Sequence, residues 1–246
     1  MATTVIIDLS HHNPEPDWPT LKASGVVGVI LKATEGTSYV DPTFAGRRDR
    51  ALRAGLAVAS YHYQKPGNVG QQMLHYLDVV APGRGERVVV DYEDTGCTLD
   101  ELEQAVTALF NAGLDLQVTV YSGSLIKQQL GTDVNAVLAK AALWIAHYTQ
   151  SPSPSWPKGT WPVWSLWQYT DKAMVSGVSE RVDGNRFNGS NGNAAKWLAP
   201  AAEAPVPAPV PPPEPIPAVT EPQFEISLKV DPGVTFTIWV NGEKVM

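Results

Sequence analysis

The sequence predicts an α/β protein: an irregular, TIM-like (β/α) barrel, followed by a proline-rich linker and a small C-terminal segment that forms a β-hairpin. Three observations support this. Short β-branched or aromatic runs alternate with longer helix-compatible stretches over residues 1–199, a pattern typical of parallel sheets. Polar side chains follow the ends of these runs. A stretch rich in proline then separates the long region from a short tail.

The predicted strands share a run of apolar residues bounded by turn signals. They are TVIIDLS, GVILKAT, AVASYHY, VVVDYED, VTVYSG, ALWIAHY and SLWQYT, with a last one near RVDGNRF. The stretches FAGRRDRALRAG, QQMLHYLDVV and TLDELEQAVTALFNAG between them are predicted helices. The last begins with a Thr98 cap, has Glu101 three residues later and closes at Gly113. Repeated units of this kind imply a parallel sheet that closes into a barrel.

Composition excludes several classes of protein. The chain has 246 residues, a formal net charge of -7 and one cysteine, Cys97. An acidic chain lacks the clustered Lys and Arg that nucleic acids or anionic membranes require, and one cysteine cannot form an internal disulfide. We expect no nucleic-acid partner and no membrane insertion, since no run approaches the roughly 20 apolar residues of a membrane span. The N-terminus MATTVIIDLS does not resemble a signal peptide.

The proline-rich stretch predicts three regions. They are a large domain at residues 1–199, a semi-rigid linker at 200–222 and a small β-rich segment at 223–246. In the last segment, apolar residues alternate with polar ones around two turn signals, DPG and NG, which predicts an amphipathic hairpin. So short a hairpin cannot bury its apolar face alone. We therefore expect homo-oligomerisation through residues 223–246.

Polar residues accumulate at or just after the C-terminal ends of the predicted strands. In a barrel these ends meet at one face, where active sites of this architecture lie. The candidate site residues are Asp8, Lys32, Glu35, Tyr61, His62, Asp91, Glu93, Tyr121, Tyr148, Gln168 and Asp183.

The stretch RVVVDYEDTG suggests the chemistry of this face. Three consecutive valines indicate a buried strand, and the i, i+2 spacing puts Asp91 and Glu93 on one side of it, with Cα atoms roughly 6.5 Å apart. Two carboxyl groups so close should divide into a protonated acid and an ionised partner, as glycoside hydrolysis requires. Asp8 and Asp183, from the first and last strands of a closing barrel, should be neighbours and add negative potential.

Aromatic residues suggest a sugar substrate, because flat rings pack against the apolar faces of pyranose units. They crowd the stretch from residue 144 to 169, and we assign about half of them to the core. The set is Trp144, Tyr148, Trp156, Trp161, Trp164, Trp167 and Tyr169.

The order and spacing of several motifs resemble glycoside hydrolase family 25, the lysozymes of bacteriophage endolysins and bacterial autolysins. The resemblance covers about residues 4–198 and rests on IDLSHHN, DWPTLKASG, LKATEGTSYVDPTF, AGLAVASYHY, VVVDYED, VYSG, LWIAHY, WQYT and VDGNRF. It implies an N-acetylmuramidase that cleaves the β-1,4 bond between N-acetylmuramic acid and N-acetylglucosamine in bacterial peptidoglycan. It places the catalytic glutamate on Glu93, its companion on Asp91 and further cleft aspartates on Asp8 and Asp183.

Several alternatives stay open at this stage. For residues 223–246, binding to a cell-wall polymer is the alternative to homo-oligomerisation. The protein is expected to be a phage endolysin, held in the host cytoplasm until it reaches the wall, with a bacterial autolysin or a non-catalytic wall-binding protein as alternatives. A chitinase would carry aspartates where this chain has Glu86 and Val89, which argues against that class. Lys32 and Glu35 form either an internal ion pair or substrate contacts. No cofactor is expected, and the histidines lack a compact metal-ligand spacing.

Overall fold

Eight strands close into a barrel in the computed structural model, which describes residues 5–199, 239–240 and 243–244. A ninth, two-residue strand, β3, pairs antiparallel with the end of β2 at the rim. The strands are β1 (Ile6–Leu9), β2 (Gly28–Glu35), β3 (Tyr39–Val40), β4 (Ala57–Tyr63), β5 (Arg87–Asp91), β6 (Gln117–Ser122), β7 (Ala142–Ala146), β8 (Leu166–Ala173) and β9 (Val182–Phe187). The predicted barrel is confirmed, and each predicted strand overlaps one of the eight barrel strands.

The repeated units predicted a parallel sheet, but the barrel is not parallel throughout. β1, β2 and β4 to β8 pair in parallel, whereas β9 is antiparallel to both of its neighbours, β8 and β1. The connection from β8 to β9 contains no helix and turns at Gly177, whose φ is +93°. A connection this short permits only an antiparallel return, because a parallel crossover needs a dozen or more residues.

Helices surround the sheet. They are α1 (Trp18–Ala23), α2 (Phe44–Arg53), α3 (Val69–Val80), α4 (Leu99–Phe110), α5 (Ser124–Leu130) and α6 (Asn191–Leu198), with a short 3-10 helix at Leu138–Lys140. The predicted capping box of α4 is present, since Thr98 Oγ1 accepts from the Glu101 amide and Glu101 accepts from the Thr98 amide. The helix ends at Phe110, before the predicted Gly113.

Two apolar cores lie on the two sides of the sheet. The inner core fills the barrel with side chains that include Ile6, Ile30, Val89 and Trp144. The outer core lies between the strands and the helices. Successive side chains of a strand point to opposite faces of the sheet, so each strand contributes residues alternately to the inner and the outer core.

Helix α6 closes the base of the barrel, at the end opposite the strands' carboxyl termini. Its Leu198 belongs to the inner core. A Cβ on Gly28 would lie 2.4 Å from Leu198 Cδ2 and 2.6 Å from the Ala57 carbonyl oxygen, and because the latter is backbone, only glycine fits there. Arg87, at the start of β5, donates to the Trp197 carbonyl at 2.6 Å and stacks over the Trp197 ring at 3.8 Å. These contacts fix α6 against the first residues of the strands.

The loop after β1 is held by buried charged groups. Arg47, almost wholly buried on α2, donates to the Ser10 carbonyl at 2.6 Å and to the Asn13 carbonyl at 2.6 Å. Asp41, also buried, accepts from the His11 amide at 2.9 Å. The chain that follows Asp8 therefore has a fixed course.

The chain divides into two units, Met1–Ala204 and Pro205–Met246. In the second unit the structure describes one antiparallel pair, β10 (Trp239–Val240) with β11 (Glu243–Lys244), on the two sides of the predicted NG turn. The rest of the predicted hairpin and the linker lie outside the described residues.

No helix within the described ranges is both long enough and apolar enough to cross a membrane.

Candidate active site

Four carboxyl groups meet at the face where the parallel strands end. Asp8 lies near the end of β1, Asp91 ends β5, and Glu93 follows two residues later. Asp183 also lies at this face. It had been predicted at the C-terminal end of a strand, and this position was wrong. It lies at the start of β9, and because β9 is antiparallel, its start is level with the ends of the other strands.

Asp8 and Asp183 form a pair. They are register partners across β1 and β9, and each carboxyl group influences the pKa of the other. Burial raises the pKa of Asp8 well above its usual value, and the Asp183 carboxylate raises it further. Burial also raises the pKa of Asp183. The predicted proximity of these two residues is confirmed by this register.

Two amides hold Asp8 from the other side. Gln168 Nε2, on β8, lies 3.2 Å from each Asp8 carboxylate oxygen, and Asn185 Nδ2, on β9, donates to Asp8 Oδ2 at 2.8 Å. Asn185 was not among the predicted site residues. Its signal was the VDGNRF motif, where it stands two positions after Asp183 and so points to the same side of the strand.

Asp91 and Glu93 differ in exposure. Asp91 is 5% exposed, and its Oδ1 has no hydrogen-bond partner among the described residues, whereas the Glu93 side chain is open to solvent. Burial raises the pKa of Asp91 well above its usual value, the Glu93 charge adds to this, and the Lys32 ammonium opposes it. Desolvation by the cleft walls raises the pKa of Glu93, and Asp183 adds to the effect. Glu93 is therefore the carboxyl group that a substrate can reach.

A pocket of about 190 Å³ adjoins Glu93. It lies between the loop after β5 and the start of α5. Besides Glu93 it is lined by Thr95, Gly123, Ser124, Leu125 and Gln128.

Lys32 and Glu35 form an ion pair at the rim of the barrel. Lys32 Nζ lies 2.7 Å from Glu35 Oε2 and 5.1 Å from the centre of the Tyr63 ring. Lys65 continues this network, since its ammonium pairs with Glu35 at 3.7 Å and with Asp94 at 3.0 Å. Lys65 gave no sequence signal. The network ties the loop that carries Glu93 to the ends of β2 and β4.

Tyrosines, rather than tryptophans, adjoin the carboxyl groups. Tyr121 and Tyr148 donate to Gln168 Oε1 at 2.7 and 2.8 Å, and Tyr148 is 53% exposed. Burial raises the pKa of Tyr61 and of Tyr121 well above the usual tyrosine value, with Asp91 adding to the first and Glu93 to the second. These phenols therefore remain protonated donors near neutral pH.

The aromatic stretch is mostly core. Trp144 fills the barrel interior, and Trp161 and Trp167 are buried in the outer core. Trp156, Trp164 and Tyr169 pack against that outer core. Of the seven, Tyr148 is the member in hydrogen-bond contact with Gln168. Packing therefore accounts for more of these aromatic residues than the half that was predicted.

His62 does not lie with the other candidates. It is fully buried between β4 and α3, where Nδ1 contacts Thr34 Oγ1 at 2.8 Å and Nε2 contacts Gln72 Oε1 at 3.1 Å. Burial lowers its pKa to about 4, so it stays neutral near pH 7. Because alternate residues of a strand face opposite sides, Tyr61 at the cleft places His62 against the helices. The expectation that His62 binds substrate is wrong.

Metal ligands were not expected. Over residues 5–199 and the two short C-terminal strands, no group of three or more His, Cys, Asp or Glu side chains is arranged to hold a metal ion.

A barrel that gathers paired carboxyl groups at the carboxyl ends of its strands has the arrangement that glycoside hydrolases use. The sequence model of the glycosyl hydrolases family 25 matches residues 7–178, and the chain belongs to this family.

Individual relatives agree with this. The chain is 31% identical to Lysozyme M1 of Streptomyces globisporus over 209 residues, covering 78% of this chain and 69% of that protein. It is 24% identical to the N,O-diacetylmuramidase of Chalaropsis sp, covering 74% of this chain and 94% of that protein. The crystal structure of the bacterial lysozyme from Streptomyces coelicolor superposes with a TM-score of 0.68 at 28% identity, covering 78% of this chain and 95% of the other.

Proposed function

We propose that the protein is a lysozyme that hydrolyses peptidoglycan at the β-1,4 bond between N-acetylmuramic acid and N-acetylglucosamine. Its family and its similarity to proteins named lysozyme and diacetylmuramidase support this substrate. The observation that carries the proposal is the division between an exposed Glu93 and a buried Asp91 at the barrel face.

Glu93 is the general acid in this proposal. A general acid must reach the glycosidic oxygen and must still hold its proton near the working pH. Glu93 is exposed, and its raised pKa favours the protonated form. The pocket beside it offers space for the leaving sugar, on the side where the acid delivers its proton.

Asp91 is the carboxylate that stabilises positive charge at the reacting carbon or on the N-acetyl group of the substrate. Its Oδ1 has no hydrogen-bond partner among the described residues, so no donor there offsets the carboxylate charge that acts on the sugar. The Lys32 ammonium favours its ionised form. When a substrate occupies the cleft, transfer of the Glu93 proton to the leaving oxygen leaves two carboxylates around a cationic sugar, which they stabilise.

The other candidate residues are proposed to shape the cleft. Tyr148 and Tyr61 offer hydroxyl groups to the sugar, and the Lys32–Glu35 ion pair borders it. Tyr121 and Gln168 are buried, so they are proposed to act through Asp8 rather than by direct contact. Asp8 and Asp183 contribute negative potential.

Replacing Glu93 by Gln tests the function. The substitution keeps the shape but removes the proton, and general acid catalysis of this kind contributes about 100-fold or more. Digested peptidoglycan should be analysed by mass spectrometry, because a muramidase leaves N-acetylmuramic acid at the new reducing ends. Glu103→Gln is the matched control, since Glu103 lies on α4, where its Oε1 accepts from Asn135 Nδ2. Products with reducing N-acetylglucosamine, or an active Glu93→Gln variant, would contradict the proposal.

A role in host lysis by a bacteriophage stays a prediction. It would be supported if the purified protein lysed its host only from outside the membrane or together with a pore-forming partner. A cellular autolysin would instead be found on the wall of the cell that makes it.

A further inference from the structure

Charge is distributed unequally along the barrel. Residues 5–115 contain fifteen Asp or Glu and nine Lys or Arg, whereas residues 116–199 contain four Asp or Glu and seven Lys or Arg. All ion pairs within the described ranges join residues between His11 and Asp115. The described cations of the second half, which carries β6 to β9, are therefore without acidic partners and can attract anions.

Lys127 is one of these cations and lies on α5, the helix whose first residues line the pocket beside Glu93. Its side chain is half-buried and makes no hydrogen bond or ion pair with a described residue. Burial lowers the pKa of Lys127, and no described carboxylate opposes this effect. The cost of desolvating the ammonium group is therefore not offset by an acid of the barrel.

His147 lies close to Lys127, directly after β7. Burial lowers the pKa of His147, and the Lys127 charge lowers it further, so the imidazole is neutral near pH 7. The Ser155 amide donates to His147 Nδ1 at 3.0 Å, and because a backbone amide can only donate, the ring proton must lie on Nε2. Nε2 has no acceptor among the described residues. The two side chains thus offer an ammonium group and an N–H donor that the described residues leave unused.

Gly123 connects this region to the general acid. It precedes α5, and a Cβ built on it would lie 3.9 Å from Glu93 Oε1 and 3.5 Å from the Ala146 Cβ. Ala146 ends β7 and is followed directly by His147. The end of β7 and the start of α5 therefore border the side of the cleft on which Glu93 delivers its proton.

The surface of α5 leads from the pocket to Lys127. Ser124 and Gln128 line the pocket, and Lys127 stands three residues after the first and one before the second. Residues three apart on a helix are neighbours, and helical side chains lean toward the N-terminus of the helix. The Lys127 side chain therefore extends toward the end of α5 that borders Glu93. A polymer whose leaving sugar occupies the pocket would pass this ammonium group.

We propose that Lys127 and His147 bind a carboxylate of the peptidoglycan on the leaving-group side of the cleft and make the enzyme prefer substrates that carry one. This inference rests on the proposed function. Peptidoglycan has carboxylates on its stem peptides and, where a stem has been removed, on the lactyl group of N-acetylmuramic acid. An ammonium group and an N–H donor stabilise a carboxylate by charge-assisted hydrogen bonds. The four-carboxyl cluster repels such a group, so the basic pair supplies the favourable contact.

Three soluble glycan fragments of equal length test this preference. The first has stem peptides with free carboxylates, the second has the same stems with their carboxylates converted to amides, and the third has no stems and carries free lactyl carboxylates. We expect kcat/KM on the first to exceed that on the second by about tenfold, the scale of a hydrogen bond to a charged group. If the third fragment is as good as the first, the lactyl carboxylate can occupy the site; if it resembles the second, the site binds the stem carboxylate.

Lys127→Met assigns the preference to the ammonium group, because it removes the charge and keeps an unbranched side chain. The tenfold preference should fall below about twofold through a higher KM for the free-carboxylate fragment. Lys127→Arg keeps the charge and should keep the preference. Lys140→Met is the matched control, since Lys140 precedes β7 at the opposite end of the barrel, and it should also keep the preference. A purely structural role of Lys127 would lower activity on all three fragments by the same factor.

The outcomes separate this inference from the proposed function. If the unaltered protein cleaves the free-carboxylate and the amidated fragments with equal kcat/KM, the carboxylate site is refuted and the muramidase activity stands. A tenfold preference that survives in Lys127→Met also contradicts the inference, because the carboxylate is then bound elsewhere. If none of the fragments is cleaved, the proposed function fails and the inference fails with it.

Discussion

Glu93 should set the alkaline limit of activity. Its pKa is raised by desolvation and by Asp183, so the protonated acid persists to higher pH than for a free glutamate, near 4.3. Activity should be retained above that pH and fall as pH rises through the raised pKa, because the reaction needs the protonated form. The pH profile of kcat/KM on a soluble peptidoglycan fragment measures this. An alkaline limb centred at or below the free value would contradict the assignment.

The exposed Asp133 provides the control for this measurement. Asp133→Asn removes one charge in a loop outside the four-carboxyl cluster. The variant should reproduce the profile of the unaltered protein. A shifted limb in this variant would show that net charge, and not Glu93, sets the limit.

Asp91 should lower the stability of the protein at neutral pH. Its folded-state pKa is raised by burial, so the unfolded chain ionises first, near pH 3.9, and stability is lost as pH rises from there through the folded pKa. Asp91→Asn removes this loss. We expect a gain on the order of 1 kcal/mol in unfolding free energy at pH 7, no gain below pH 3.5, and low activity.

Thermal unfolding at the two pH values measures the effect, with Asp133→Asn as the exposed control. The stability of the Asp91→Asn variant is compared with that of the unaltered protein at each pH. If the variant gains less stability relative to the unaltered protein at pH 7 than at pH 3.5, then the folded protein stabilises the ionised Asp91 side chain. In that case the prediction is wrong.

At the scale of an element, the start of α4 should be a separable source of stability. Thr98 Oγ1 accepts from the Glu101 amide at 3.3 Å, while the Glu101 carboxylate accepts from the Thr98 amide at 2.8 Å and from the Gly67 amide at 2.7 Å. Thr98→Ala should cost about 1 kcal/mol, as loss of an N-cap does. Denaturant unfolding measures this, and Thr98→Ser, which keeps the acceptor, should recover most of it. Equal midpoints for the Ala and Ser variants would contradict the capping role.

The elements also show what the sequence could predict. The positions of the eight barrel strands and of α2, α3 and α4 followed from apolar periodicity and from caps such as Thr98 with Glu101, which are local signals. The shorter helices α1, α5 and α6 were not predicted. The direction of β9 did not follow, because apolar patterning is the same for either direction of a strand. It was set by the short turn at Gly177.

The face on which a residue lies was harder to predict than its strand. Tyr61 and His62 are adjacent, so one of them must face the helices, but nothing local says which. His62 faces Thr34 and Gln72 because both offer buried polar partners, from the neighbouring elements β2 and α3. Asn185 was missed for a related reason, since its role depends on Trp144 and Asp8 being brought beside it.

At the scale of the whole molecule, residues 223–246 are proposed to associate with their counterparts in other copies of the chain. The sequence argument is the apolar alternation in a segment too short to form its own core. Light scattering coupled to size exclusion should give an oligomer for the full chain and a monomer for a chain ending at Pro200. A full-length monomer at micromolar concentration refutes self-association, and a monomeric tail that sediments with purified walls supports wall binding.

The closure of the barrel base by α6 bears on how this protein can be recombined with others. Leu198 and the contacts of Arg87 with Trp197 complete the interior before the proline-rich stretch begins. A grafting junction placed after Ala199 should therefore accept a foreign targeting segment without disturbing the carboxyl cluster at the far end of the strands. A junction before Asn191 would open the hydrophobic interior to water. The last turn of α6 therefore marks the point after which a different segment can be joined to the barrel.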